Sequence, residues 1–210
     1  MNPKYRSDID GLRAIAVLSV LMFHAFPDRV SGGFVGVDVF FVISGYLISG
    51  IILSGIRDHS FRFSVFYARR IKRIFPSLIV VLGSCLAIGW FLLLPKDYKA
   101  LGEHIAAGAA FVSNLLLWSE SGYFDKSAEL KPLLHLWSLG IEEQFYIIWP
   151  LILYFGFRRR ANLAGILVAL LVGSFLLNVL LAADHLVAAF YSPLTRFWEL
   201  LACGLLAHFA

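Results

Sequence analysis

Charge and sulfur are both scarce in this sequence. Charged residues make up 15% of the 210, and hydrophobic residues 60%. An ordinary soluble domain is roughly 45–50% apolar and about 25% charged. A chain of this length has too little interior to hide so much apolar side chain from water. The mean hydropathy of +0.79 makes a bilayer the natural solvent. The two cysteines, Cys85 and Cys203, both lie in apolar runs. They read as buried free thiols, and no zinc-ligand spacing surrounds them. A cleavable signal peptide is also lacking. Asp8, Asp10 and Arg13 interrupt the N-terminus, and no small-residue cleavage site follows its apolar run. There is no internal repeat and no low-complexity stretch.

The charge that is present is basic, with a net +4 and a pI of about 9.2. It gathers at Arg69, Arg70, Lys72 and Arg73 and again at Arg158, Arg159 and Arg160, each time beside an apolar run. That is the distribution of cytoplasmic membrane anchors and not of a nucleic-acid face, so no nucleic-acid partner is expected. The fold class that follows is an all-α integral membrane protein, a polytopic bundle of transmembrane helices in a lipid bilayer.

Six spans are expected from the apolar runs, over 12–25, 34–53, 75–94, 136–155, 163–183 and 197–210. The stretch 61–75 mixes Phe63, Phe66, Ile71 and Ile74 with five cations and is expected as a basic amphipathic helix on the cytoplasmic interface. The run 101–118 carries Glu103, His104, Ser113 and Asn114. It is expected as a re-entrant or interfacial helix, because only then does the positive-inside rule place Arg158–Arg160 with Arg70. The N-terminus is then cytoplasmic and the loop 119–131, with Lys126, lies on the other side. The last run spans 197–210, roughly 21 Å of helix against a core of about 30 Å. The sequence therefore reads as a fragment of a longer protein.

Chemistry is legible where ionisable residues interrupt spans, since each such group is costly in a membrane and faces the protein interior. Arg13 and His24 are 11 positions apart, which places them about 20° from one face and roughly 16 Å apart along a helix. Asp10 lies near that face. An imidazole titrates near neutral pH, so His24 is a candidate general base; an interfacial residue beside a snorkelling Arg13 remains open. Asp38 sits near the outer end of the second span and reads equally as a functional acid or as the partner of a nearby cation. Arg70 and Arg73 face the same way at i,i+3, and two guanidinium forks suit phosphate groups; attraction to anionic lipid remains open. His135, Ser138 and Glu142 form one polar stripe, while Glu143 faces elsewhere. Two adjacent carboxylates in an apolar helix point to a functional cavity. No metal site is expected from the dispersed histidines.

Three blocks resemble the acyltransferase-3 family. The first is Tyr5-Arg6-Ser7-Asp8-Ile9-Asp10-Gly11-Leu12-Arg13 with Phe23-His24. The second runs from Gly32-Gly33-Phe34-Val35-Gly36-Val37-Asp38 to Ser44-Gly45-Tyr46. The third joins Gly122-Tyr123-Phe124 to Pro132-Leu133-Leu134-His135-Leu136-Trp137-Ser138 and Glu142-Glu143-Gln144-Phe145-Tyr146. The segment Tyr191 to Glu199 also fits the family. Gly140 stands where the family pattern leads us to expect serine or another small residue.

The resemblance implies an acyl-CoA-dependent transferase moving acyl groups, often acetyl, to envelope glycans such as lipopolysaccharide or peptidoglycan in the bacterial inner membrane. It implies His24 as the catalytic histidine with Arg13 as its partner, and Arg70 and Arg73 as the coenzyme A-handling pair. Glu142 would orient His24, the acceptor or the arginines. Acyl-CoA is expected as a donor substrate, with no tightly bound cofactor. The family's longer members can carry an extracytoplasmic SGNH hydrolase-like domain. Two other classes stay open at this point: a proton-coupled carrier, which needs the same buried Arg, His and Glu, and an inactive truncated homologue.

Overall fold

The computed structural model describes residues 6–122 and 131–209. Tyr5, Tyr123, Phe124 and Lys126 fall outside the described residues. Among the described residues the chain is helical and has no strand, as expected of an all-α membrane protein. In order, the helices are α1 (Ser7–Ala25), α2 (Gly36–Arg57), α3 (Phe63–Leu92), α4 (Pro95–Ala109), α5 (Ser113–Glu120), α6 (Leu136–Arg158), α7 (Leu163–Asp184), α8 (Leu186–Tyr191) and α9 (Pro193–Phe209), with a 3₁₀ turn at Gly33–Val35. Each stretch expected to span falls mostly within a helix among the described residues, with residues 93 and 94 lying beyond the end of α3. Three helical segments are long and apolar enough to cross a membrane on their own, Gly33–Arg57, Phe63–Leu92 and Leu163–Asp184. In α6 the run Glu142-Glu143-Gln144 dilutes the apolar character.

Two boundaries differ from expectation. The basic stretch 61–75 and the span 75–94 are one 30-residue helix, α3, with Pro76 inside it. A proline in a helix interior removes one backbone hydrogen bond, a local cost of roughly 3 kcal/mol that need not end the helix. The run 101–118 is two helices instead of one. Phe111 takes a left-handed φ of 57° between α4 and α5, and Val112 N–H donates to Ala107 O at 2.8 Å. Neither piece, at 15 and 8 residues, spans a core of about 30 Å.

The centre of the bundle is α2, which packs on α1, α6 and α9. Its apolar faces build the core with Phe41, Ile48 and Ile52 against Ile141, Phe145, Trp149 and Leu200, all almost fully buried. Glycines set the helix spacing, as small residues do in membranes. A Cβ on Gly45 would run into the backbone carbonyl of Leu200 on α9, and one on Gly36 into that of Ala16 on α1. Polar struts add to this packing, one between α6 and α2 and one between α9 and α7. Trp149 Nε1 donates to Ser49 Oγ at 2.8 Å, and Trp198 N–H donates to Ser174 Oγ at 2.9 Å. By contrast α3 and α7 turn Ile79, Val80, Trp90, Phe175 and Leu180 outward, as a lipid-facing surface requires.

Three helices end in the same reversal. The N–H groups of Ser60, Val112 and Ala161 reach back to Gly55 O, Ala107 O and Gly156 O, and those of His59, Phe111 and Arg160 to Ile56 O, Gly108 O and Phe157 O. This pairing is the Schellman motif, whose left-handed residue is usually glycine. Here it is His59, Phe111 or Arg160, with φ of 53°, 57° and 51°. A side chain at that position costs roughly 1 kcal/mol.

Candidate functional site

The candidate site is a polar face with two poles, built by α1, α2, α3 and α6. At the first pole α1 ends and α6 begins. His24, on the last turn of α1, brings its ring centroid to 4.6 Å from that of His135, nearly perpendicular at 89°. His24 Nδ1 lies 2.8 Å from Val20 O, one turn back. A carbonyl oxygen can only accept, so Nδ1 carries the proton and Nε2 keeps its lone pair. His24 is exposed. It has the tautomer and the access that a general base needs. Partial burial, and then the His24 imidazole beside it, lowers the pKa of His135 below the usual histidine value. Ser138 does not extend this pole, because its Oγ donates to His135 O at 3.3 Å, within the first turn of α6.

The second pole centres on Glu142, two turns along α6. Ser44 Oγ donates to its Oε1 at 2.8 Å, and Tyr146 O–H donates to its Oε2 at 3.4 Å. Arg70 lays its guanidinium over the Tyr146 ring at 4.8 Å, with Phe66 at 5.9 Å. Arg70 and Arg13 both bear electrostatically on Glu142. Arg13 also faces Asp10 at 3.8 Å. The hydrogen-bond partners of Glu142 are Ser44 and Tyr146, and no arginine lies within ion-pair distance of it among the described residues. His135 and Glu142 are seven residues apart on α6, about 10 Å along the axis. Arg73 shares the Arg70 side of α3 and is exposed. Glu143 faces elsewhere, as its position on the helix requires. It is 9% exposed, and its Oε1 has no hydrogen-bond partner among the described residues.

Asp38 belongs to a separate ion network. Arg196 Nη1 reaches Asp38 Oδ1 at 3.2 Å and Glu199 Oε1 at 2.7 Å, and its guanidinium lies over Phe190 at 5.0 Å and Trp137 at 5.6 Å. Asp38 thus has the cationic partner that the sequence left open, and that partner ties α2 to α9. Arg196 and Glu199 were not singled out from the sequence. Two opposite charges at i,i+3 in an apolar run are the signal that could have found them. A further group, also missed, joins His104 Nε2 and Lys131 Nζ to Glu120 Oε2 at 3.2 and 2.9 Å. Asn114, Gln144 and Phe111 form a third. Gln144 Nε2 donates to Phe111 O at 2.8 Å and to Asn114 Oδ1 at 2.9 Å. A Cβ at Gly140 would lie 2.9 Å from Asn114 Oδ1, so the glycine makes room for this clasp. Among the described residues, no group of three His, Cys, Asp or Glu side chains could hold a metal ion.

Comparison with known proteins identifies the family. A family model described as an acyltransferase domain, acyltransferase-3, matches residues 6–209. An uncharacterized protein of Haemophilus influenzae is 39% identical over 181 residues, covering 81% of this chain and 73% of that protein. The putative peptidoglycan O-acetyltransferase YrhL of Bacillus subtilis is 37% identical over 212 residues, covering 96% of this chain and 33% of that protein. The O-acetyltransferase OatA of Staphylococcus aureus is 39% identical over 161 residues, covering 75% and 26%. The chain thus spans less than two thirds of the length of these last two relatives. No solved structure matches it. The family match takes in both poles of the polar face, from Arg6 just before α1 to the end of α9, and the chain belongs to the acyltransferase-3 family.

Proposed function

We propose that this chain is the membrane-embedded part of an O-acyltransferase that moves an acetyl group from acetyl-CoA to a hydroxyl of a cell-envelope glycan. The observation that carries the proposal is the arrangement of His24. Its Nδ1 is engaged by the Val20 carbonyl, which leaves Nε2 as an accessible base one helix face away from a cluster of guanidinium groups. In the reaction, Nε2 takes the proton of the acceptor hydroxyl as its oxygen attacks the thioester carbonyl carbon. The C–S bond then breaks, and the departing coenzyme A thiolate recovers that proton from the imidazolium. Arg70, Arg73 and Arg13 suit the phosphates of the donor, with Glu142, Ser44 and Tyr146 fixing the arginine pole. The two poles are about 16 Å apart along α1, a span that the pantetheine arm between thioester and phosphates can bridge.

The basic ends of α3 and α6 favour an inner-membrane protein with the arginine pole toward the cytoplasm and His24 toward the envelope. The name of the Bacillus subtilis relative, a putative peptidoglycan O-acetyltransferase, favours peptidoglycan as the acceptor class, and a lipopolysaccharide sugar is the alternative. The test uses membranes holding the full-length protein, radiolabelled acetyl-CoA and isolated glycan. Alkali-labile label on the glycan is the expected result. Uptake of solute driven by a proton gradient, with no label transferred, would support a carrier and overturn the proposal. Arg70→Ala and Arg73→Ala should each weaken acetyl-CoA affinity, by a factor that shrinks at high salt. Unchanged affinity in both would make the pair a membrane anchor only.

A further inference from the structure

A cavity of about 840 Å³ opens at the end of the bundle opposite His24, where α2, α6 and α9 finish and α7 begins. That volume lies within the range of ligand pockets. Its charge is one-sided. Arg158, Arg160, His59 and His208 line it, and no carboxylate does. Among the described residues neither arginine makes an ion pair. His208 Nδ1 is buried there without a hydrogen-bond partner among those residues. The first turn of α7, capped by Asn162 Oδ1 accepting from Gly165 N–H at 3.0 Å, adds the positive end of a helix dipole. Two walls are aromatic, with the rings of Phe61 and Tyr154 6.4 Å apart and inclined at 37°.

Basic residues at a membrane helix end are ordinary anchors, so their presence alone decides nothing. Two of the three left-handed helix ends meet here. His59 and Arg160 both occupy the left-handed position of a Schellman motif, where glycine would be relaxed, and both line the same cavity. Strain of this kind persists where the side chain is needed. The cavity and the arginine pole are flanked by the same two helices, α3 and α6. Phe63 packs on Tyr154 at 5.2 Å and Arg70 on Tyr146 at 4.8 Å, so α3 and α6 run antiparallel between the two places, about 12 Å apart along α6.

We propose that this cavity is a phosphonucleotide-binding site that takes the nucleotide end of the acyl donor, a second donor subsite beside Arg70 and Arg73; the inference rests on the donor assigned above. The cavity arginines and the dipole meet the 3′-phosphate, the aromatic walls take the purine, and the diphosphate lies toward Arg70 and Arg73. The pantetheine arm then leads past Tyr146 toward His24.

The test is calorimetric binding of coenzyme A and of adenosine 3′,5′-bisphosphate to full-length protein in nanodiscs. Arg160→Gly is the first variant. It relieves the backbone at φ 51°, so its unfolding temperature should not fall below wild type while bisphosphate affinity drops about tenfold or more. The double variant Arg158→Lys with Arg160→Lys is the second. It keeps the charge that sets topology and loses the planar fork, and it should show a loss in the same direction. Unchanged bisphosphate affinity in both variants, with coenzyme A still weakened by Arg70→Gln, would overturn the inference and leave the donor assignment standing. A wild type that binds the bisphosphate through Arg160 but does not bind coenzyme A would overturn the donor assignment and keep the nucleotide site. Bisphosphate binding that occurs in phosphatidylcholine but vanishes in phosphatidylglycerol nanodiscs would make the cavity a lipid-headgroup site and overturn the inference.

Discussion

Replacing Glu142 by Gln tests whether the arginine pole is a coupled unit. The change preserves size and leaves one oxygen to accept from Ser44, now 2.8 Å away. Tyr146 O–H, at 3.4 Å, can rotate to accept from the new amide. What is lost is the negative charge facing Arg70 and Arg13. A hydrogen bond to a charged group contributes about 1.5–3 kcal/mol, against about 1 for a neutral one. With both bonds kept in neutral form, Glu142→Gln should cost about 1–3 kcal/mol. Glu142→Ala leaves Ser44 and Tyr146 without their acceptor and should cost about 1–3 kcal/mol more. The assay is unfolding in nanodiscs followed by tryptophan fluorescence. Glu142→Gln, Arg70→Gln and the double variant complete a double-mutant cycle. A coupling energy of about 0.5–3 kcal/mol is expected for interacting side chains. Additive effects would show that Glu142 and Arg70 are neighbours without being partners, and the description of the pole would be wrong.

Three further outcomes are expected. Gly45→Ala forces a Cβ into the backbone of α9 at Leu200 and should cost about 1–3 kcal/mol by overpacking, while Gly50→Ala, with nothing within 4 Å, should be neutral or mildly stabilising; equal unfolding temperatures for the two would refute the packing. His135 has a folded pKa below its unfolded value. The unfolded state therefore binds the extra proton, and stability should fall as pH drops through about 6.5. In His135→Gln this acid sensitivity should be smaller, as read by unfolding temperature between about pH 5 and 7.5. Single cysteines placed at Arg70 and Arg158 in a cysteine-free, full-length background should be labelled from the cytoplasmic face and one at Lys126 from the other; labelling at 126 from the cytoplasmic face alone would refute the orientation.

Local periodicity made much of this architecture readable. The 100° step per residue places Arg13 and His24 on one face of α1, and in the structure Arg13 faces Asp10 while His24 lies beside His135. The same arithmetic turns Glu143 away from Glu142. Tertiary partners were not readable, because nothing local to Asp38 names Arg196, 158 residues away, and nothing in α6 names Ser44 as the donor to Glu142. The break after α4 was hidden for another reason. Its left-handed residue is Phe111 and not the glycine that signals a helix end. The division at residue 75 rested on the change from basic to apolar composition, and a single helix can carry both, as α3 does in running on through Pro76. The cavity at the ends of α2 and α6 needed the fold. His59, Arg158 and His208 are far apart in sequence, and only the packing of α2, α6 and α9 brings them together.

The central claim is that His24 is the base of an acyl transfer. The direct measurement is the acetyl-ester content of envelope glycan in cells whose only copy of the full-length protein carries His24→Gln, normalised to membrane protein level. Glutamine keeps the bulk and can still donate to the Val20 carbonyl that His24 engages at 2.8 Å, but it cannot take a proton. Loss of a general base typically lowers the rate about 10²–10⁴-fold, so glycan acetylation should fall to near background with protein level unchanged. Near-normal acetylation in His24→Gln would contradict the claim and return the search for the base to His135 and Glu142.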